Sequence, residues 1–520
     1  MVIDRLKIVL ISTNERFVEH GLRSISAYLK ERGFETKMIF MPTSDRYGNL
    51  FYPEKILEDL YDLIGDCQII GFTCMSACYD RTVQVIRFLK PKTKGFFVWG
   101  GIHATLFPES CINEVDAVAI GEGELALEEL ATRINNNQNY LNTENFWFNF
   151  DNKIIKNPVR PLLENLDLLP YPDYELETHQ ILNNGVFTPA IEFFKTNFWQ
   201  LNSGRILVHS ARGCPYNCTF CSNSTLNKLY KGKGSIIRKR SVNKLIGEIK
   251  YLLEKFPEAK KLFIDDDIFP VRPIEEIREF CKEYKKEIPI QFECYFTPKF
   301  IDDETFKLLI DAGLNHVLMG VQTGSERLNR EIYKRYFTNK MVIDSSKIIS
   351  KYKEKLKPTM YQLIISNPYE EEEDVIATIR LLQNIIPPFD TKIFNLVFFP
   401  GTELRTMVEK EKFYENVDEK STTEYFDDLG HMKFEKKNLY LNSILRCMHG
   451  NATQIRIGLI PRFMINFLVN LNKSHFKFIG FSFLIPLIFL KDLKTKMYFN
   501  LMPLLPKSIQ DFALRIARND

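Results

Sequence analysis

The sequence predicts an α/β protein in three parts: an N-terminal doubly wound parallel sheet, a partial β/α barrel, and a mainly helical C-terminal region. Three observations predict it. Short apolar runs alternate with amphipathic stretches from Leu6 to Ile134, and the alternation returns with a longer period from Ile206 to about residue 405. Residues 451–520 then hold ten Lys or Arg against three Asp or Glu, interleaved with apolar and Pro-containing stretches. Strand patterns separated by helical ones are the mark of βαβ units and a parallel sheet. The 520 residues leave room for three or so domains at roughly 150 residues each, which excludes a single small binding module. A composition of 45% hydrophobic, 26% charged and 13% aromatic residues excludes wholesale disorder. A net charge of +3 is too balanced for nucleic-acid binding by field alone, and no nucleic-acid partner is expected.

Taken in order, Leu6–Ile11, Lys37–Met41, Ile69–Thr73, Phe96–Trp99 and Val115–Ile120 read as strands. Gly21–Arg32, Ile56–Ile64, Val83–Leu89 and Glu124–Ile134 read as the helices between and after them. These elements make a domain over residues 1–135. Residues 136–200 lose the alternation, are rich in Asn, and contain Pro158, Pro161, Pro170 and Pro172, so they read as a linker that wraps rather than packs. In the next part, residues 201–405, strands are predicted at Ile206–His209, Lys261–Asp265, Ile290–Tyr295 and His316–Val321. Helices are predicted there at Val242–Lys255, Pro273–Lys285 and Asp303–Ala312. Residues 406–520 form the helical, basic and apolar remainder.

Ten cysteines are too sparse for a secreted disulfide scaffold, and the apolar Ile8–Ile11 is too short for a signal segment. A reducing, cytoplasmic location is expected. The longest uncharged apolar stretch, Phe478–Leu490, contains Pro486 and falls short of the roughly 18 to 20 residues that span a bilayer. No transmembrane helix is predicted.

Cys214, Cys218 and Cys221 sit in Arg-Gly-Cys-Pro-Tyr-Asn-Cys-Thr-Phe-Cys-Ser, directly after the apolar run Ile206–Val208. Three thiolates on the loop leaving a strand leave one metal position unfilled. A structural zinc site takes four protein ligands, whereas an iron-sulfur cluster with one open iron binds a cofactor or substrate there. No further Cys and no His lies between 222 and 280.

This C-x3-C-x2-C arrangement, with Phe220 before the last Cys, resembles the signature of the radical S-adenosylmethionine (radical SAM) enzymes. The resemblance implies that the three cysteines hold a four-iron four-sulfur (4Fe-4S) cluster whose open iron chelates S-adenosyl-L-methionine. Leu262-Phe-Ile-Asp-Asp-Asp267 resembles the family's second barrel strand, which implies that Asp266 or Asp267 meets the methionine ammonium; an acidic strand-end cap is the other reading. Gly320-Val-Gln-Thr-Gly-Ser325 resembles the segment that meets the nucleoside, with Gln322 and Ser325 as polar groups, and Arg335 is expected as a carboxylate partner. All three motifs end strands, where a β/α barrel collects its ligands. Phe399-Pro-Gly-Thr-Glu-Leu404 resembles a later family turn, whereas Asn367-Pro-Tyr-Glu-Glu371 and Tyr295-Phe-Thr-Pro-Lys299 depart from the family pattern.

The first strand is followed by Ser12-Thr-Asn-Glu-Arg16, with no glycine fingerprint for a dinucleotide. The glycines come later, in Gly100-Gly101-Ile-His103 and Gly121-Glu-Gly123-Glu124. With Gly71-Phe-Thr-Cys-Met-Ser76 these segments resemble the Rossmann-like cobalamin-binding domain of one large radical SAM subfamily. That implies cobalamin contacts from Thr73, Ser76, Gly100, Gly101, His103, Gly121, Gly123 and Glu124. A purely structural His103 is the alternative. No Asp-x-His-x-x-Gly pattern offers a histidine to cobalt, and Cys74 and Cys78 read as buried apolar residues. Leu166-Asp-Leu-Leu-Pro-Tyr-Pro-Asp-Tyr174 resembles the segment that joins the two domains.

The resemblance implies reductive cleavage of S-adenosyl-L-methionine to a 5′-deoxyadenosyl radical, hydrogen abstraction from an unactivated carbon, and methyl transfer from methylcobalamin. The expected activity is a C-methyltransferase for a small-molecule or lipid-like substrate. A cyclase or rearrangement enzyme that uses cobalamin without methyl transfer is the alternative, and a non-catalytic cobalamin or cluster sensor the minor one. An electron donor such as flavodoxin or ferredoxin is implied. The basic, apolar C-terminal stretches Phe463–Phe467, Phe478–Leu490 and Leu501–Leu505 carry the expectation of peripheral contact with an anionic membrane surface.

Overall fold

The computed structural model describes residues 6–15, 17–42, 51–198, 201, 203–413, 437–472 and 477–501, the last twelve of these without their side chains. The described residues fall into two compact units. One holds the chain up to Val317 together with Tyr333–Arg335 and the segment from Val397. The other holds Leu318–Ile332, Tyr336–Leu396 and the described residues from Lys437 onward.

The first unit begins with five parallel strands, Lys7–Ser12 (β1), Glu35–Phe40 (β2), Ile69–Thr73 (β3), Phe96–Gly100 (β4) and Ala117–Ala119 (β5), in the order β5-β4-β3-β1-β2. Helices His20–Glu31 (α1), Glu54–Ile64 (α2), Tyr79–Leu89 (α3), Gly101–Leu106 (α4), Pro108–Cys111 (α5) and Glu124–Asn135 (α6) connect and follow them. Ile8 to Ile11, Ile69, Ile70, Phe97 and Val118 are almost wholly buried, as expected of strands covered on both faces. The strand order reverses between β1 and β3. Loops leaving the carboxyl ends of those two strands therefore diverge and open a crevice, the usual place for a ligand in such a sheet.

Residues 136–200 differ from the expectation of a linker that does not pack. Phe146–Phe150 (β6) and Lys153–Lys156 (β7) form a hairpin that pairs antiparallel with β5. Gln180–Asn183 (β8) joins β2 in parallel, and Val186–Pro189 (β9) folds back on it before helix Ala190–Asn197 (α7). The Asn residues that read as loop supply the turns: Asp151 and Asn152 have φ of 49° and 57°, and Asn184 and Gly185 have 49° and 81°. Two consecutive left-handed residues make the two-residue turn whose twist matches a hairpin.

The Pro-Tyr-Pro-Asp-Tyr segment is fixed by a fully buried cation. Arg23 of α1 donates to the carbonyls of Phe17, Val18 and Asp173, each at 2.8 Å, and its guanidinium lies 4.1 Å from the Tyr174 ring centroid. Asp173 in turn pairs with Lys30 at 2.9 Å and His179 at 3.1 Å.

Barrel strands follow. Ile206–Val208 (β10), Lys261–Ile264 (β13) and Gln291–Phe296 (β14) lie parallel. Between the first two, Ala211–Arg212 (β11) and Arg238–Lys239 (β12) form a short antiparallel ribbon flanking helix Ser222–Leu229 (α8). Helices Val242–Lys255 (α9), Ile274–Glu287 (α10) and Asp303–Ala312 (α11) alternate with the strands. Leu314–Gln322 (β15) begins in the first unit and ends in the second. There it pairs in parallel with Thr359–Ile365 (β16), which pairs with Phe389–Asn395 (β17), with helices Asn339–Ser350 (α12) and Glu372–Asn384 (α13) between them. Val397 returns the chain to the first unit, where Thr402 caps helix Glu403–Lys410 (α14).

Beyond that, short antiparallel strands Gly450–Ala452 (β18), Arg456–Ile457 (β19) and Ile460–Pro461 (β20) extend from β17. Helices Leu439–Cys447 (α15), Arg462–Leu471 (α16) and Lys477–Leu501 (α17) complete the second unit. The Leu501–Leu505 stretch lies outside the described residues after its first position. No described helix is long and apolar enough to cross a membrane.

Candidate functional site

The cysteine loop leaves β10 and is fastened at both ends. Ser210 and Ala211 donate their backbone N–H groups to Asp266 Oδ1 at 2.7 and 2.9 Å, and the Ser210 hydroxyl donates to Asp266 Oδ2. Asp266 is 3% exposed and also faces Arg272 at 3.7 Å. Its two oxygens are thus engaged in holding the loop's entry, in line with the strand-end reading. Inside the loop, Asn227 Nδ2 donates to the carbonyls of Cys214 and Tyr216 and to Asn217 Oδ1, at 2.9 to 3.3 Å. Thr219 N–H reaches the Tyr333 carbonyl, and Leu404 N–H reaches the Thr219 carbonyl at 2.9 Å. The Phe220 ring meets Tyr333 edge-on at 5.0 Å.

Cys214, Cys218 and Cys221 are free thiols. Burial pushes Cys214 up to about 12 and raises Cys218 and Cys221 as well. The Arg335 guanidinium, beside the Cys218 thiol, opposes that rise. Asp267 is exposed, accepts from Asn223 Nδ2 at 2.7 Å, and lies near enough to Cys214 and Cys221 to act on them electrostatically. Among the described residues no three His, Cys, Asp or Glu side chains converge on one ion-sized point. Thiolates that each take a different iron of one cluster need not do so.

In the second unit, Gln322 ends β15 with a left-handed φ of 71°, after a register shift between Gly320 and Gln322. Ser366, at the end of β16, also has a positive φ, 63°, and donates to Asn395 Oδ1 at 3.1 Å. Such strain in non-Gly residues persists only where the surroundings impose it, and it gathers at ligand sites. Ser325 Oγ donates to Asp374 Oδ1 at 2.5 Å, so this hydroxyl is committed to the first turn of α13.

At the carboxyl edge of the sheet, Thr73 and Gly100 end β3 and β4, and Ser76 and Gly101 follow them. Gly101 is exposed with φ 89°, and a Cβ there would lie 2.3 Å from Thr73 Oγ1. His103 is buried, with Nδ1 2.9 Å from Ser76 Oγ and Nε2 3.1 Å from Ser110 Oγ; burial lowers it to about 4, so the ring is neutral. Gly121 and Gly123 are close-packing positions: a Cβ would meet the Tyr230 hydroxyl at 1.8 Å or Ile25 Cδ1 at 2.8 Å. Glu124 is 3% exposed and pairs with Arg212 at 2.5 Å. The segment Gly121–Glu124 therefore grips protein in this structure.

The B12 binding domain family matches residues 6–131, and the radical SAM superfamily matches residues 208–401. The chain is a B12-binding radical SAM protein. Its cofactors are cobalamin, a 4Fe-4S cluster and S-adenosyl-L-methionine. The chain is 27% identical over 345 residues to an uncharacterized methyltransferase of Pyrococcus horikoshii, covering 65% of this chain and 69% of that protein. It is 26% identical over 316 residues to the anaerobic magnesium-protoporphyrin IX monomethyl ester cyclase of Rubrivivax gelatinosus, covering 58% of this chain and 51% of that one. Among solved structures, the radical S-adenosylmethionine methyltransferase TsrM from Kitasatospora setae, with cobalamin and cluster bound, aligns with a TM-score of 0.60 at 16% identity, over 78% of this chain and 75% of that one. The cobalamin-dependent enzyme OxsB, with aqua-cobalamin and S-adenosylmethionine bound, aligns with a TM-score of 0.61 at 13% identity, over 99% and 75%.

The residues of this radical SAM protein fit the groups such domains carry. Three free thiols stand on one pinned loop with a cation beside them, a donor set suited to thiolate-held iron. Thr73, Ser76, Gly100 and Gly101 line a sheet edge whose side chains are small where a bulky group must approach, and Gly101 lies open there. Sequence reasoning missed Asn14, whose Oδ1 accepts from Met75 N–H at 2.8 Å and so ties the loops after β1 and β3 across the crevice. It also missed Arg212, Tyr230, Arg238 and Ser366. The Arg before the Gly-Cys pair was visible as part of the motif, but nothing local announced its partners.

Proposed function

We propose that this protein is a C-methyltransferase that acts on an unactivated carbon of a small-molecule or lipid-like substrate. The observation that carries the reading is that the pinned cysteine loop and the small-residue edge of the B12-binding sheet belong to one compact unit, so both cofactors have their protein contacts in the same body. When bound, the cluster and cobalamin supply a one-electron reductant for S-adenosylmethionine and a transferable methyl group.

The chain's own residues bind and orient. Cys214, Cys218 and Cys221 hold the cluster, and Arg335 favours the thiolate form of Cys218. Asp267, with one side still exposed, takes the methionine ammonium, while Asp266 holds the strand end. Gln322 offers polar atoms at a strained strand end toward the nucleoside. Thr73, Ser76, Gly100 and Gly101 hold the cobalamin side, with His103 fixing Ser76. The reductant is a small electron-transfer protein of the flavodoxin or ferredoxin class.

The deciding experiment is product mass spectrometry after anaerobic cluster reconstitution with cobalamin, S-adenosylmethionine, a strong reductant and candidate extracts. Proportional 5′-deoxyadenosine and S-adenosylhomocysteine are expected. Deoxyadenosine without S-adenosylhomocysteine would move the assignment to a cyclase or rearrangement enzyme, the activity named for the Rubrivivax relative. Neither product would leave the sensor.

The C-terminal helices favour an apolar substrate. On α16, Phe463 and Phe467 are 83% and 54% exposed, and on α17 Phe478, Ile479, Ile485 and Phe489 point outward. The inward face of the pair rests on Tyr440, whose hydroxyl donates to the Leu468 carbonyl at 2.8 Å and whose ring meets Phe481 at 5.0 Å. Together with the basic excess of residues 451–520, this outward apolar stripe suits an anionic lipid surface. The full-length protein is expected to float with vesicles containing phosphatidylglycerol and not with neutral ones. Protein that stays at the bottom in both, or dimerises through the stripe, would refute membrane contact.

A further inference from the structure

The segment Gly121–Glu124 is gripped by the ribbon that leads into the cysteine loop. Arg212 Nη2 lies 2.5 Å from Glu124 Oε1, and its Nη1 lies 3.3 Å from Glu122 Oε1. Arg238, the register partner of Arg212 across β11 and β12, takes both oxygens of Glu122 in a fork at 2.7 and 2.9 Å. Ser24 of α1 donates to Glu124 Oε1 at 2.8 Å. The Tyr230 hydroxyl accepts the Glu122 N–H at 2.9 Å and fills the place a Gly121 Cβ would take.

These contacts join parts about 90 to 115 residues apart in sequence, one the connection from β5 to α6 on the cobalamin side and the other opening the cluster side. Little slack remains between the grip and the first cysteine. Gly213, the one residue between Arg212 and Cys214, has φ 93°, and a Cβ there would lie 2.0 Å from the Ile236 carbonyl oxygen. The side chains of Glu124 and Arg238 are each 4% exposed and those of Arg212 and Glu122 23% and 24%, so one member of each pair is shielded from solvent and the other is partly open to it. Forked Arg–carboxylate pairs fix direction as well as distance.

We propose that Arg212–Glu124 and Arg238–Glu122 form a positioning clamp that sets the spacing between the cobalamin edge of the sheet and the cluster loop. This rests on the proposed sites of the two groups, and not on methyl transfer. Both groups would be carried through the clamp as one rigid body, so that a methyl donor on one side and a radical generated on the other meet the same substrate carbon. Neither glutamate touches a cofactor in this role.

The spacing is readable without a substrate. With cobalamin in its paramagnetic cob(II) form and the cluster reduced by one electron, the two spins interact, and electron paramagnetic resonance reports the strength and spread of that interaction. The wild-type holoprotein is expected to show one well-defined interaction. Arg212→Ala and Glu122→Gln should weaken or spread it while iron content and corrin absorbance hold, and Arg212→Lys should recover part of it. An unchanged interaction in Arg212→Ala with both groups bound would overturn the clamp, as would a wild-type protein with no interaction. Loss of either group from Arg212→Lys would also overturn it, because the pairs would then be retaining a group and not spacing two. Absence of a methylated product in the wild type would defeat the functional reading and leave this measurement intact.

Discussion

Asp266 and Asp267 are neighbours in sequence that differ in how far their lone pairs are engaged, and the duty proposed for Asp267 rests on that difference. Asp266 accepts from two backbone N–H groups and a hydroxyl; an Asn there would present an amide donor to donors. Asp266→Asn is expected to lower stability by about 2–4 kcal/mol and to reduce iron incorporation, read by thermal unfolding and iron assay. Asp267→Asn should leave stability within about 0.5 kcal/mol and raise the KM for S-adenosylmethionine. Gly101 has no such alternative, since any side chain meets Thr73 Oγ1 in a left-handed backbone; Gly101→Ala is expected to destabilise by about 1–3 kcal/mol and weaken cobalamin binding in an absorbance titration. His103 adds a pH dependence. Its folded value of about 4 lies below the ordinary 6.5, so the unfolded chain takes up the proton first as pH falls. Stability from this group is full above pH 6.5 and drains away between there and pH 4, by up to about 3 kcal/mol. A His103→Gln protein should lose that part of the acid slope in unfolding titrations from pH 7 to 4.5, and an unaltered slope would count against a buried neutral ring.

At the scale of elements, the strands and helices were legible wherever period and punctuation agreed. Ile69–Thr73, Val242–Lys255 and Asp303–Ala312 have the bounds the pattern predicts. The failure came at residues 136–200, where Asn and Pro were read as absence of structure. Strands of four or five residues carry too few alternations to register, and the left-handed pairs Asp151–Asn152 and Asn184–Gly185 look like loop until strands are known to flank them. The cysteine loop was legible from three residues, because metal-ligand spacing is local. Its supports were not: Arg212, Arg238 and Tyr230 act across separations that no window contains, as does Asn14 between the loops after β1 and β3. Arg23 belongs to this class. It serves three carbonyls from α1 while buried against Tyr174, and Arg23→Met is expected to destabilise by at least about 3 kcal/mol by leaving those carbonyls unserved, as thermal or denaturant unfolding would report.

For the whole molecule, the division of the chain bears on what each change disturbs. The strained strand ends at Gln322 and Ser366 and the Ser325–Asp374 contact sit in the unit that also holds α15 to α17, whereas the cysteines and the sheet edge share the other. Substitutions on the outward stripe, such as Phe463→Ser with Phe467→Ser, are therefore expected to abolish vesicle flotation while leaving the cluster absorbance of the reconstituted protein unchanged. A parallel loss of cluster would show that the two units are not independent in this respect.

The hairpins on either side of the five-stranded sheet also decide where this protein can be cut. Phe146 and Phe148 are buried against β5, and β8 pairs with the carboxyl end of β2 at Ile39 and Phe40. A fragment ending at residue 135 would keep every strand of the B12-binding family match yet present two open rows of N–H and C=O groups, each a template for another copy. Such a fragment is expected to self-associate and elute in the void volume of a sizing column. One that runs on through Asn197 carries its own edge guards, with Lys153, Lys156 and Pro189 on the outermost strands, and should elute as a monomer.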